Sequence, residues 1–286
     1  MQIVAEQVLN ALQLGILLFL IASGLSLIFG LMHVVNLAHG ALYMVGAYFG
    51  ITIARSGGNF YLALMVAPLL TGVLGVLVER MLLSRTYGRG MYPQVLLTLG
   101  LVFCFDELVR IIWGAQVQTL TLPRELDGAM TLLGTPVPAY RVFVVAVGLV
   151  VIVSLLLAFG KTRLGAMVRA GVDDREMAEA LGINVRRVFS GVFAVGAALA
   201  GLAGAMSVPI FNAYPGMGSE ILISALVVVV VGGMGSLAGA LIASLLIGAA
   251  TVVGQVYAAE FSTAVIYIVL VVVLLVRPQG ILGLVR

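Results

Sequence analysis

Apolar runs of close to membrane length recur from one end of this sequence to the other. A helix needs about 20 apolar residues to cross the hydrocarbon core. The candidates are 8–31, 37–54, 60–78, 92–113, 141–159, 188–208, 237–256 and 263–276. A shorter run, 221–233, fits a half-helix or re-entrant segment as well as a short span. Only 9% of the 286 residues are charged and 62% are hydrophobic, against about 25% charged in a soluble domain. The expected fold class is all-α: a polytopic membrane protein with about 8–9 transmembrane helices, including a discontinuous or re-entrant segment near residues 221–236. One transmembrane domain covers 1–286. The 35 glycines predict close helix packing, because small residues let backbones approach.

Charge placement orients the chain. The connector 79–91 holds Arg80, Arg85 and Arg89, the segment 160–187 holds six more bases, and the tail carries Arg277 and Arg286. All three segments are expected on the cytoplasmic side. The connectors 113–141 and 209–220 read as outside loops, with room for short helices. A crossing at 221–233 puts the N-terminus outside; a re-entrant segment there flips one end. No base precedes the first apolar run, so that run reads as a mature span rather than a signal peptide. A net charge of +3 distributed this way says nothing of nucleic acid. The single cysteine, Cys104, excludes an internal disulfide and a cysteine metal site.

The segment 160–187 is the one long polar interruption. It contains Lys161, Arg163, Arg169, Arg175, Arg186 and Arg187 together with four of the 12 acidic residues. Asp173 and Glu176 have capping-box spacing, and Gly182 suits a left-handed helix stop. Between them the sequence predicts a helix of about two turns, with Met177, Ala178 and Leu181 on one side. So short a helix is marginal in water without something to dock against. Asp174, Met177, Ala178, Leu181 and Gly182 are therefore candidates for contact with a partner protein.

Two glycine-containing breaks precede similar helix starts, at 37–42 and 237–241, with Asn36 and Ser236 as N-cap candidates. Such paired breaks line the pathway in many transporters, and Leu, Ala and Gly are also common enough here for a chance match. Asn36, His39, Gly40 and Tyr43 are pathway candidates if a helix N-terminus faces the path; the alternative is a cap with His39 bonded to nearby backbone. Gly232, Gly233, Gly235 and Ser236 read as an unwound, cavity-lining stretch or a plain turn. Asp106 and Arg110 have the i,i+4 spacing of a structural ion pair. His33 and His39 are six apart and make no metal pair, so no metal site is expected. Gly160-Lys161-Thr162 lacks the earlier glycine of a phosphate loop, since position 155 is Leu155. No catalytic set is present in the sequence; if the protein moves a solute uphill, the energy must come from elsewhere.

Residues 35–48 (VNLAHGALYMVGAY) resemble the first signature of the branched-chain amino acid permeases of ATP-binding-cassette importers. Segments 163–170 and 178–184 resemble that family's cytoplasmic loop, and 231–240 and 277–283 its later glycine-rich and terminal motifs. The resemblance spans the chain in order. It implies a machine of two permease subunits (homologous or identical), two ATPase subunits that bind ATP and Mg, and a periplasmic substrate-binding protein. The solute is a small amino acid, with no cofactor in this chain, and the setting is the bacterial inner membrane. Residues 174–181 are then the coupling helix in an ATPase cleft. The loop departs from the longer motif of better-known importers, with Glu179-Ala180 followed by Leu181-Gly182. Urea or short amides are the alternative cargo. A stand-alone secondary transporter is the rival class, and it lacks mid-membrane coupling carboxylates in this sequence.

Overall fold

The computed structural model describes residues 2–32, 34–132, 135–257 and 259–283; His33 and Arg286 lie outside them. Helices α1 (Gln2–Met32), α2 (His39–Arg55), α3 (Phe60–Met81) and α4 (Met91–Trp113) lead to a short antiparallel hairpin, β1 (Ala129–Leu132) with β2 (Thr135–Pro138). Then follow α5 (Ala139–Lys161), α6 (Arg163–Asp173), α7 (Arg175–Ala180), α8 (Val185–Phe211), α9 (Met217–Gly232), α10 (Leu237–Tyr257) and α11 (Ser262–Val276). Five of these helices, among the described residues, are long and apolar enough to cross a membrane by themselves, and α9 and residues 264–276 of α11 are shorter apolar helices.

Several elements differ from the sequence expectation. The connector 113–141, read as an outside loop with room for short helices, carries a hairpin instead of helices. Its prolines and β-branched residues resist helix, and Pro136 and Pro138 are tolerated because a two-stranded ribbon is all edge. The segment 160–187 carries two helices, α6 and α7, not one. The apolar run at 221–233 belongs to one continuous helix that starts four residues earlier, at Met217, and the interruption follows it at 233–236.

The core is built around α8, which packs against α1, α2 and α3. Glycine makes this possible. A Cβ added at Gly46 would run into the Gly201 backbone, and one at Gly204 into the Tyr43 carbonyl oxygen. One at Gly24 would stand 2.6 Å from the Gly196 carbonyl oxygen. In hydrocarbon no hydrophobic force draws helices together, so such backbone contacts carry the packing. The outer faces of α3, α4, α5 and α11 expose large apolar side chains, among them Met65, Leu69, Phe103, Ile111, Val150 and Leu275. That surface suits lipid or a partner subunit rather than water.

Polar contacts fasten the connectors at the end away from the 160–187 segment. Arg55 donates to the Thr119 carbonyl at 2.9 Å, and Gln118 and Ala213 exchange backbone hydrogen bonds. Tyr214 donates to the Glu220 carboxylate, and this bond, with partial burial and the carboxylate's charge, pushes the phenol pKa from 10 up to about 12.

Two outcomes follow. Gly46→Leu is expected to destabilise the bundle by about 1–3 kcal/mol through overpacking, read as a lower melting temperature in detergent. Gly100→Leu, where an added Cβ meets nothing within 4 Å, is expected to leave it unchanged. The raised Tyr214 pKa contributes stability that is complete below pH 10 and is lost as pH rises from 10 through about 12. Phenolate absorbance of the wild type minus that of Tyr214→Phe checks the midpoint, and Glu220→Gln should bring it down.

Candidate functional site

Between α1 and α2 the chain turns back into the bundle. The His39 ring Nε2 lies 3.0 Å from the carbonyl oxygen of Ile21, eleven residues before the end of α1. At 1.5 Å per residue, α2 therefore begins about 16 Å in from the end of α1. The N-cap is Ala38, with no side-chain cap bond, so Asn36 is not the cap its residue type suggests. Asn36 contributes its backbone oxygen, which accepts from His39 N at 3.3 Å.

The Asn36 side chain is left over. It is 1% exposed, and neither Oδ1 nor Nδ2 has a hydrogen-bond partner. His39 Nδ1, Ser26 Oγ and Gln94 Oε1 are likewise buried and unpartnered. Thr98, one turn along α4 from Gln94, brings its hydroxyl to 3.5 Å from the Val35 carbonyl. Burying an amide without partners costs roughly 1–3 kcal/mol, so a cluster of such groups is an unusual thing to find in a closed bundle. Tyr43 is buried one turn further into α2, beside Ser207 of α8, whose hydroxyl donates to the Gly204 carbonyl at 2.7 Å. Gly40 packs directly on the Gly218 carbonyl at the start of α9. Asn36, His39, Gly40 and Tyr43 thus come together. Thr98 reaches the backbone beside them at Val35, one turn from Gln94 on α4, and Ser26 lies five residues past Ile21 on α1; isolated polar residues inside apolar runs were the only sign of these three in the sequence.

Gly232, Gly233, Gly235 and Ser236 lie elsewhere. Gly235 packs on Gly30, nine residues beyond Ile21 on α1. That separates the two sets by about 14 Å along the helix. The break is a turn with φ +96 at Gly233 and +85 at Gly235. Ser236 does cap α10, its Oγ accepting from Gly239 N at 3.0 Å. The carbonyls of Val231 and Gly232 accept from Ile281 N at 2.8 Å and Leu282 N at 3.1 Å, and that of Gly233 accepts from Ser236 N at 3.0 Å. The segment 280–283 seals this turn.

The exposed loop helix is as short as expected. The Asp174 carboxylate accepts from Met177 N at 2.9 Å and caps α7, one residue later than the Asp173 expected in that role; Asp173 is the last residue of α6. Gly182 takes φ +83, and Ile183 N returns to the Ala178 carbonyl at 3.0 Å. The three apolar residues do not share a face. Ala178 is 1% exposed and packs inward, whereas Met177 and Leu181 point out, Leu181 at 74%. On six residues the helix has room for one inward position. Leu164 on α6 adds a third exposed apolar side chain. Arg169 is tied to the Phe159 carbonyl. On α4, Arg110 pairs with Glu107 at 3.9 Å rather than with Asp106, whose Oδ1 has no hydrogen-bond partner; at that exposed site the i,i+3 partner is the nearer one.

A helical bundle with a lipid-compatible surface, a buried polar re-entry and an exposed capped loop helix defines a multi-pass membrane permease. The chain belongs to the family described as the branched-chain amino acid transport system/permease component, whose profile matches residues 7–274. It is 29% identical to the high-affinity branched-chain amino acid transport system permease protein BraD of Pseudomonas aeruginosa, over 97% of this chain and 95% of the relative. It is also 29% identical to the permease protein LivH of Escherichia coli, with the same coverage. Among solved structures, PsaBC from Streptococcus pneumoniae in complex with Fab matches with a TM-score of 0.50 at 14% identity, covering 93% of this chain and 89% of that one. At that identity the likeness concerns the fold alone.

The loop geometry has a direct check. In a Cys104→Ala background, a membrane-impermeant maleimide is expected to label Leu181→Cys at least about tenfold faster than Ala178→Cys, because only an exposed thiolate reacts. Equal rates would contradict the inward packing of Ala178.

Proposed function

We propose that this chain is the permease subunit of an ATP-binding-cassette importer in the bacterial inner membrane. It forms the path by which branched-chain amino acids, delivered by a periplasmic binding protein, move inward. The observation that carries the reading is the continuity of α7 with α8. Exposed Met177 and Leu181 sit on a capped helix joined through Gly182 and Asn184 to the rod at the centre of the bundle. An apolar knob on a helix too short to stand alone calls for a docking cleft. Two separate ATPase subunits that bind ATP and Mg supply that cleft, with Asp174, Met177, Ala178, Leu181 and Gly182 shaping the contact. Family membership and the relatives' names support both the cargo and the machine. This chain performs no chemistry on the solute and holds no cofactor.

In this reading α1–α5 and α8–α11 all cross the bilayer within one transmembrane domain, which pairs with a second permease subunit. Nine crossings put the N-terminus outside and 160–187 and 277–283 in the cytoplasm. The packing of 280–283 on the α9–α10 turn supports that side for the tail. Asn36, His39, Gly40 and Tyr43 form the inner path, where unpartnered polar groups at a helix start are available to a zwitterion. Gly232, Gly233, Gly235 and Ser236 border the path as a sealed turn.

The test uses proteoliposomes holding the complex with its ATPase and binding protein. ATP-driven leucine uptake is expected, and Leu181→Asp should cut it and ATPase co-purification by at least about tenfold, as for an interface anchor. Uptake without ATP, or indifferent to Leu181→Asp, returns the secondary-transporter reading. Urea uptake in place of leucine keeps the machine and changes the cargo.

A further inference from the structure

Glu79 has no role in the function so far described. It lies near the end of α3 and is fully buried. Both its carboxylate oxygens are taken by hydroxyls from other elements. Tyr87, on the connector between α3 and α4, donates to Oε1 at 2.9 Å, and Ser190, in the second turn of α8, donates to Oε2 at 2.7 Å. Arg80 Nε reaches Ser190 Oγ at 3.4 Å, and the Tyr87 ring meets Phe189 edge-on with centroids 6.1 Å apart. Among the described residues Glu79 makes no ion pair.

This is a costly way to fasten helices. A buried carboxylate loses its hydration, and two hydroxyl donors replace that only in part. An apolar residue would pack α3 on α8 at less cost, and charged residues kept inside membrane helices generally have functional work. The placement indicates which work. Ser190 stands just past the α7–α8 junction, where Asn184 caps α8 through Arg187 N at 3.0 Å and Val185 is buried. Displacement of α7 therefore reaches Ser190 through about one and a half turns of rigid helix. From there Glu79 passes it to α3, and through Tyr87 to the connector that carries Arg85 and Arg89.

We propose that Glu79 is a positioning residue for energy coupling: its carboxylate joins α8 to α3 and the 82–90 connector, so that the three move together when the loop helix is displaced. This rests on the ATP-driven reading above. The same reconstituted complex, with its ATPase and binding protein, tests it. The quantity measured is ATP hydrolysed per leucine imported, with melting temperature alongside. Tyr87→Phe and Ser190→Ala each delete one hydroxyl, and each is expected to raise the ratio at least about threefold in an assembled complex, since each removes a hydrogen bond to a charged group. The double variant should resemble Glu79→Leu rather than the product of the singles, because the two bonds share one carboxylate. Glu79→Gln should fall between. A lower melting temperature with an unchanged ratio overturns the proposal and leaves Glu79 a structural tie. If Glu79→Leu does not assemble, the two hydroxyl variants decide. A wild-type complex without ATP-dependent uptake overturns the importer reading and this proposal together; normal ratios in the variants of a coupled wild type overturn this proposal alone.

Discussion

Backbone-to-backbone contact along α8 is the constraint on which the rest of the structure depends. Gly201 meets Gly46, Gly204 meets Tyr43, and Gly196 meets Gly24. Each contact leaves no room for a Cβ. Over 196–204 a helix held this closely on several sides resists local bending, because a shift at one crossing drives backbone into backbone at the next. The bundle therefore has a stiff axis, and the elements that differ in detail are arranged around it.

That axis joins two regions that are chemically unlike. At one end the short helix α7 offers Met177 and Leu181 to water, where apolar side chains gain nothing. Midway along, Asn36 and His39 hold buried polar atoms without protein partners. Each is unfavourable by itself, and the misfits are complementary: one calls for an apolar partner outside the membrane, the other for a polar guest within it. The importer proposed above, with an ATPase partner and a zwitterionic solute, would meet both demands.

Much of this was legible in the sequence, for identifiable reasons. Apolar length marked the helices, Gly182 marked the left-handed stop of α7, and Ser236 marked the cap of α10, since each signal is local. Distance defeated the rest. The start of α2 at His39 depends on a hydrogen bond to Ile21, and the inward packing of Ala178 depends on the bundle beneath it. Glu79 sits beside Arg80 at the end of an apolar run, where a charged pair looks like an ordinary membrane boundary. Only the approach of α8 puts it out of water. The repeat suggested by 37–42 and 237–241 shares a glycine-containing break, yet one helix starts deep in the bundle and the other at its end.

The strap formed by residues 280–283 has a consequence for how the chain is made. The carbonyls of Val231 and Gly232 are satisfied by Ile281 and Leu282, which leave the ribosome only after α10 and α11. Until then the α9–α10 turn has open acceptors at the rim of the bundle. Insertion of the earlier helices does not finish the fold: in a chain stopped after α11 the carbonyls of Val231 and Gly232 would lack the donors that Ile281 and Leu282 bring.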